Sequence, residues 1–257
     1  MPEITLETGD WILHGIDLID YSRPGFVGSM PPSVKALARE FSEVFPYCFI
    51  LRNYSSHQIA ACFSMWQYSD ASGKMQTIGN GRINISTFGA PDAIPAGGSR
   101  LMTPVLPAEC TCSLLPATLS AIRFSVLSRF SGQRSVTMSL DAAILDDGTL
   151  LGPDTRRAGQ RIQARVAARH DLAANLLKAI EEGAGVSELA SRLDQIATAP
   201  PPDKHGGPAA QAAYRSNYWS ARRGQAFGYS HILATRGSET LLRALRRSAE
   251  GLPEIHR

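Results

Sequence analysis

Cysteine, charge and long apolar runs are all in short supply. Four cysteines in 257 residues are too few for a disulfide-framed mini-protein, and their spacing does not suit zinc. Cys48 and Cys62 sit in the apolar stretches PYCFIL and IAACFSM, where a thiol packs like a small core residue. Cys110 and Cys112 are split by one residue, where zinc sites keep at least two. All four read as free thiols. No window approaches the ~20 apolar residues of a membrane span. The opening MPEITLETGDWILHGIDLID has neither a basic start nor an apolar core, so the expectation is a mature cytoplasmic protein with no membrane association. In that setting the sequons Asn53-Tyr54-Ser55 and Asn84-Ile85-Ser86 carry no glycan.

Catalytic signatures are missing as well. There is no P-loop, no dinucleotide glycine motif and no helical His-Glu metal motif. Gly228-Tyr229-Ser230-His231-Ile232 begins like a nucleophile elbow, but Ile232 stands where the closing glycine belongs. His170 and Asp171 are sequence neighbours on a helical stretch and point apart. The expectation is therefore no catalytic residue, no cofactor and no metal ligand, and a chain that leans away from enzyme activity.

What is present is a division. Residues 1–154 carry 10 basic and 14 acidic side chains, residues 212–257 carry 8 and 3. The front reads as β. A short apolar run over Tyr47–Arg52 ends in the turn-forming NYSS, and Ile59–Tyr68 is apolar on both faces, as a central strand would be. SDASGK reads as a hairpin connection, followed by strands at Met75–Ile78 and INISTF. Two alternating stretches follow. SAIRFSVLSRF places Ile122, Phe124 and Val126 on one side, and SVTMSLDAAIL places Val136, Met138, Leu140, Ala142 and Ile144 against Thr137, Ser139, Asp141 and Ala143. The one amphipathic helical stretch of this part is PPSVKALAREFSEVF. Short strands with Gly/Pro/Ser/Asn punctuation predict a mainly β domain with an antiparallel sandwich, with Trp66 in its core. The order FILRNYSSHQIAACFSMWQYSD, IPAGGSRLMTP, TMSLDAAILDDGTLLGPD resembles an immunoglobulin-like or fibronectin-like β-sandwich of the sort found in uncharacterised bacterial proteins. Over Tyr47–Asp154 that resemblance implies a binding scaffold and transfers no functional residue.

The stretch SLDAAILDDGTLLGPDTRRAGQRI marks the handover. Asp141, Asp146, Asp147 and Gly148 lack the ligand spacing and closing glutamate of a calcium loop. Asp147-Gly148 instead has the chemistry of a tight turn, and Asp154 that of a helix N-cap. The helix so capped runs over Thr155–Glu182 with Ile162, Val166, Ala173, Leu176, Leu177 and Ile180 on one face. Arg169 interrupts that stripe, unless its aliphatic stem lies along the apolar surface and its head reaches water. A second amphipathic segment follows the GAG stop, carrying Leu189, Leu193 and Ile196.

The predicted organisation is a β-sandwich over residues 1–154, an amphipathic helical segment over 155–198, a Pro/Gly linker over 199–211 and a basic aromatic tail over 212–257. The helical stripe is expected to bury itself within its own chain, pairing with another chain being the alternative. In the tail, Tyr214, Tyr218, Trp219, Phe227 and Tyr229 interleave with Arg215, Arg222 and Arg223. The expected function is a non-enzymatic protein-binding or assembly module with a protein partner or a second copy of itself. Ile162, Val166, Leu176, Ile180, Tyr214, Tyr218, Trp219, Arg222 and Arg223 are the candidate partner-binding residues. A nucleic-acid role for the tail is the alternative, since arginine beside aromatics stacks on bases and neutralises phosphates; an enzyme with a composite site assembled by folding is the third possibility.

Overall fold

The computed structural model describes residues 2–30, 42–83, 93–104, 116–200, 209–249 and 255–256, with Lys35 and Arg39 besides. It is 48% helix and 26% strand, so the expectation of a mainly β chain is corrected to a mixed α and β protein with open sheets. The chain divides into two compact units, Met1–Arg156 with Ile255–Arg257, and Arg157–Glu254. Most of PPSVKALAREFSEVF, the INISTF strand beyond Ile83, the Cys110/Cys112 pair, the second sequon and most of the Pro/Gly linker lie outside the described residues.

The first unit holds two sheets. One contains β1 (Glu3–Glu7), β7 (Ser135–Leu145), β4 (Ile59–Ser69) and β5 (Met75–Ile83) in that order, with β8 (Leu150–Leu151) also on β7. The other orders β2 (Ile16–Asp20), β3 (Phe49–Asn53) and β6 (Ser99–Met102). β4, apolar on both faces, is central as predicted, lying antiparallel between β5 and β7. Trp66 faces Ile78 on one side and Met138 on the other. It is 0% exposed, its Nε1–H donates to the Tyr47 carbonyl at 2.9 Å, and its ring tilts against Phe49 at 5.8 Å. Residues of both sheets meet in one core, among them Leu18, Phe49, Leu51, Trp66 and Met138.

Two features depart from an antiparallel sandwich. β1 pairs with β7 in parallel, Glu3 opposite Ser135 through Glu7 opposite Ser139. The stretch SAIRFSVLSRF is not a strand but the body of α1 (Pro116–Phe130). Its apolar residues satisfy period two and the i, i+4 spacing together, and burial decides between them. Val126 and Phe130, four apart, are fully buried, while Phe124, which alternation would place beside Val126, is exposed. In β7 the predicted alternation holds from Ser135 to Leu140 and then stops, because every residue from Leu140 onward is buried.

The second unit is helical, with α2 (Ala158–Glu181), α3 (Val186–Thr198) and α4 (Ala209–Ala249). α2 and α3 each pack on α4. Of the stripes read from sequence, Ala173, Leu176, Leu189 and Leu193 are buried there with Leu172, Tyr229, Leu233, Leu241 and Leu245, and Leu177, Ile180 and Ile196 pack partly buried against them. α4 breaks at Gly237, whose φ of 79° and ψ of 174° are not helical.

Candidate functional site

In the second unit the predicted partner-binding residues are largely occupied by their own chain. Ile162 and Leu176 are buried, Val166 and Ile180 half-buried. Arg169 does not simply run its stem to water. Its Nε–H donates to Ser248 Oγ at 2.9 Å, the Tyr229 hydroxyl donates to the same oxygen at 2.7 Å, and Ser248 donates to the Ala244 carbonyl at 2.8 Å. A hydroxyl with one donated and two accepted bonds is fully satisfied, so this polar knot ties α2 across the break of α4.

The aromatic and basic cluster is a second clasp. The Tyr218 hydroxyl donates to Asp171 at 2.7 Å and accepts from Arg222 at 3.3 Å. Burial, then the bond to Asp171, raises the Tyr218 pKa above the usual tyrosine value. Arg222 lies over the Trp219 ring at 5.4 Å, and Tyr218 meets that ring edge-on at 6.0 Å. Arg223 Nε–H donates to the Ala197 carbonyl at 3.0 Å, at the C-terminal end of α3 where a cation suits the helix dipole. Tyr214, half-buried, lines a shallow cavity of about 390 Å³ with Gln160, Gln163, Gln211 and Arg215.

The open face of α4 is the opposite one. Ser216, Ser220, Gly224, Phe227, His231 and Ala234 are all exposed, and at 3.6 residues per turn they share a sector of about 80° extending ~27 Å. Phe227 is 71% exposed. No Lys, Arg, Asp or Glu falls in that sector. A helix face that only meets water is better served by Lys, Glu or Gln than by Ser and Gly. A Cβ added at Gly224 would meet nothing within 4 Å, so nothing among the described residues requires a glycine there. The candidates read from sequence, Tyr214, Tyr218, Trp219, Arg222 and Arg223 in this helix, do not include this face, although its pattern, small neutral residues at spacings of three and four, is in the sequence.

The first unit has a cleft where β1 stops and β8 has not yet begun. Its volume is about 470 Å³, and Glu7, Asp10, Trp11, His14, Met65 and Asp141 are among its lining residues. Asp141 was expected on the solvent side of its strand, yet it is 1% exposed. Its Oδ1 accepts from the Thr155 N–H at 2.9 Å and the Thr155 hydroxyl at 2.6 Å, its Oδ2 from the Arg156 N–H at 3.2 Å, and its carbonyl from the Asp154 N–H at 2.9 Å. The capping expected of Asp154 is thus done by Asp141 on the residues after it. Asp154 has φ 49°, and α2 starts later, with Arg157 at its N-cap position and no side-chain cap. Gly152, at φ 90°, would put a Cβ 2.5 Å from the Trp11 ring, so only glycine lets the indole close this end of the cleft. Asp141 is committed to folding, and Glu7, Asp10 and His14 stand exposed on the rim. Among the described residues that line the cleft, no nucleophile other than the Thr155 hydroxyl, which Asp141 holds, is hydrogen-bonded to a base.

A third cluster lies at the β7–β8 turn. Asp147-Gly148 forms the predicted turn: Gly148 has φ 92°, its N–H donates to Leu145, and Asp147 Oδ1 accepts from the Thr149 N–H at 2.9 Å. His57, from the loop between β3 and β4, joins Asp146 and Asp147 there, with one donor atom of each within 4.8 Å of the others. Among the described residues no helix is long and apolar enough to cross a membrane. Comparison with family models, curated proteins and solved structures returns no match.

Proposed function

We propose that the chain is a non-enzymatic assembly module whose second unit pairs with a second copy of itself through the outer face of α4. The observation that carries this reading is the exposed Phe227 beside the unexplained Gly224 on a charge-free face. The face is self-complementary. About a two-fold axis midway between residues 224 and 227, an antiparallel copy sets each Phe227 over the other's Gly224, and each Ser220 hydroxyl opposite an imidazole of His231. The knob fills the hole, the small residues admit close helix approach, and no like charges oppose each other. The first unit serves as the scaffold; a sandwich-like character for it rests on the core its two sheets share.

Light scattering on the full chain tests the pairing. The expected mass is twice that of the chain, Phe227→Lys gives the monomer, and Gly224→Leu does the same by filling the hole. A wild type that stays monomeric at high concentration, or a dimer indifferent to both changes, overturns the reading. The exposed Arg243, Arg246 and Arg247 in the last turns of α4 favour a second reading, contact with nucleic acid. An affinity that falls steeply between two salt concentrations is its signature.

A further inference from the structure

A tight turn needs one Asx residue, and this one carries two. Asp147 takes the turn's N–H bond from Thr149. Asp146 instead faces His57, whose Nδ1 lies 2.9 Å from its Oδ1, while Nε2 of the same ring lies 3.8 Å from Asp147 Oδ2. A neutral imidazole has one N–H. If Nδ1 carries it, as the shorter contact assigns, the lone pair of Nε2 faces a carboxylate oxygen beyond hydrogen-bond range. Two electron-rich atoms so placed favour a positive charge or a bridging donor between them. With metal–ligand bonds of ~2.0–2.2 Å, two donors of one tetrahedral ion stand ~3.4 Å apart, so a small closing movement brings both onto one ion.

The backbones carrying these groups are pinned. Buried Asn53 donates to the His57 carbonyl at 2.7 Å, the Ser55 hydroxyl donates to the same carbonyl at 2.9 Å, and the Asp146 N–H donates to Gln58 at 3.0 Å. A third donor arrives from the end of the chain. His256 pairs with the turn, its N–H donating to Gly148 at 3.1 Å and its carbonyl accepting from Leu150 at 2.7 Å, with Nε2 3.4 Å from Thr149 Oγ1. That pairing brings a second imidazole to the same turn, outside the 4.8 Å within which donor atoms of His57, Asp146 and Asp147 gather.

We propose that this turn is a divalent transition-metal site of the zinc type, with His57 Nε2 and the Asp147 carboxylate as ligands, Asp146 orienting the His57 ring, and His256 drawn in from the same turn as a third ligand when the ion binds. Imidazole donors select Zn²⁺, Co²⁺ or Ni²⁺ over Mg²⁺ and Ca²⁺, which take mainly oxygen. The two carboxylates neutralise the ion, and a carboxylate on the far nitrogen of a ligating histidine fixes its tautomer and raises its basicity. The site fastens the β3–β4 loop, the β7–β8 turn and residues 255–256, which belong to the first unit.

The full chain, stripped with a chelator and titrated with Co²⁺, tests this. One Co²⁺ per chain is expected, with visible d–d absorption that Zn²⁺ displaces. His57→Ala and Asp147→Asn abolish the bands, His256→Ala weakens binding, and Asp146→Asn weakens it about 10–100-fold. His170→Ala leaves it unchanged. Zn²⁺ raises the Tm of the wild type and not that of His57→Ala. These side chains are a third or more exposed, so circular dichroism should show every variant folded. Absence of Co²⁺ bands, or bands that survive His57→Ala as adventitious binding would, overturns the proposal.

Discussion

At the scale of single residues, the side chains with most at stake are large groups whose polar atoms are also spoken for. Trp66 is the clearest. Its indole fills the contact between the two sheets, and its N–H satisfies the Tyr47 carbonyl. Trp66→Ala should cost about 3–5 kcal/mol in denaturant unfolding. Trp66→Phe should cost roughly half as much, since it keeps the ring contact with Phe49 and loses the hydrogen bond. Tyr218 offers a pH test. Its folded pKa is raised, so the fold favours the protonated phenol. The stability this contributes is full below the ordinary tyrosine pKa and is lost as pH rises through the raised value. Tyr218→Phe should cost about 1 kcal/mol at neutral pH through the lost bond to Asp171 and should flatten that alkaline fall, read from unfolding curves at stepped pH. Cys48 belongs here too. Burial pushes its thiol far above the usual range, and its Sγ–H donates to the Val44 carbonyl at 3.3 Å, so it should resist alkylation in the native protein.

At the scale of elements, legibility followed locality. β4 and the alternating first part of β7 were readable because a strand states its faces residue by residue, and the Asp147-Gly148 turn because its chemistry is complete within four residues. α1 was not readable: Val126 and Phe130 serve a helix stripe and a strand face alike, and only the partner surface decides. Asp141 looked like an ordinary outward residue because the groups it binds, the amides of Thr155 and Arg156, stand 14 and 15 positions on. The parallel pairing of β1 with β7 and the approach of His57 to Asp146, 89 residues away, are products of topology with no local trace. Arg169 was seen as a flaw in a stripe, when its partner was Ser248 on α4. The helical unit should respond accordingly. Leu176→Ala in α2 removes a side chain buried against α4 and should cost about 2–5 kcal/mol. Ser248→Ala should cost less in volume but take one bond from Arg169 and leave the Tyr229 hydroxyl without its acceptor, for about 1–3 kcal/mol.

At the scale of the whole molecule, each unit has its own core, and in the second Arg169, Tyr218, Arg223 and Ser248 serve as clasps between its helices. The sector of α4 from Ser216 to Ala234 is neutral, small and centred on one aromatic ring, and in the proposed pairing it meets its own copy. Pairing through it would make the stability of the helical unit depend on concentration, because a partner binds only the folded form. Each tenfold rise in protein concentration deepens dimer formation by ~1.4 kcal/mol, so the hydrogen-exchange protection of α4 and its melting temperature should climb together, the latter by about 2–5 °C. Since the face holds no charge, the climb should persist at high salt, unlike an association led by the arginines. Gly224→Ala separates the two effects of a missing methyl: on a face that meets only water it should stabilise α4 by about 1 kcal/mol through helix propensity, whereas under a partner's Phe227 it should weaken the dimer and flatten the dependence on concentration.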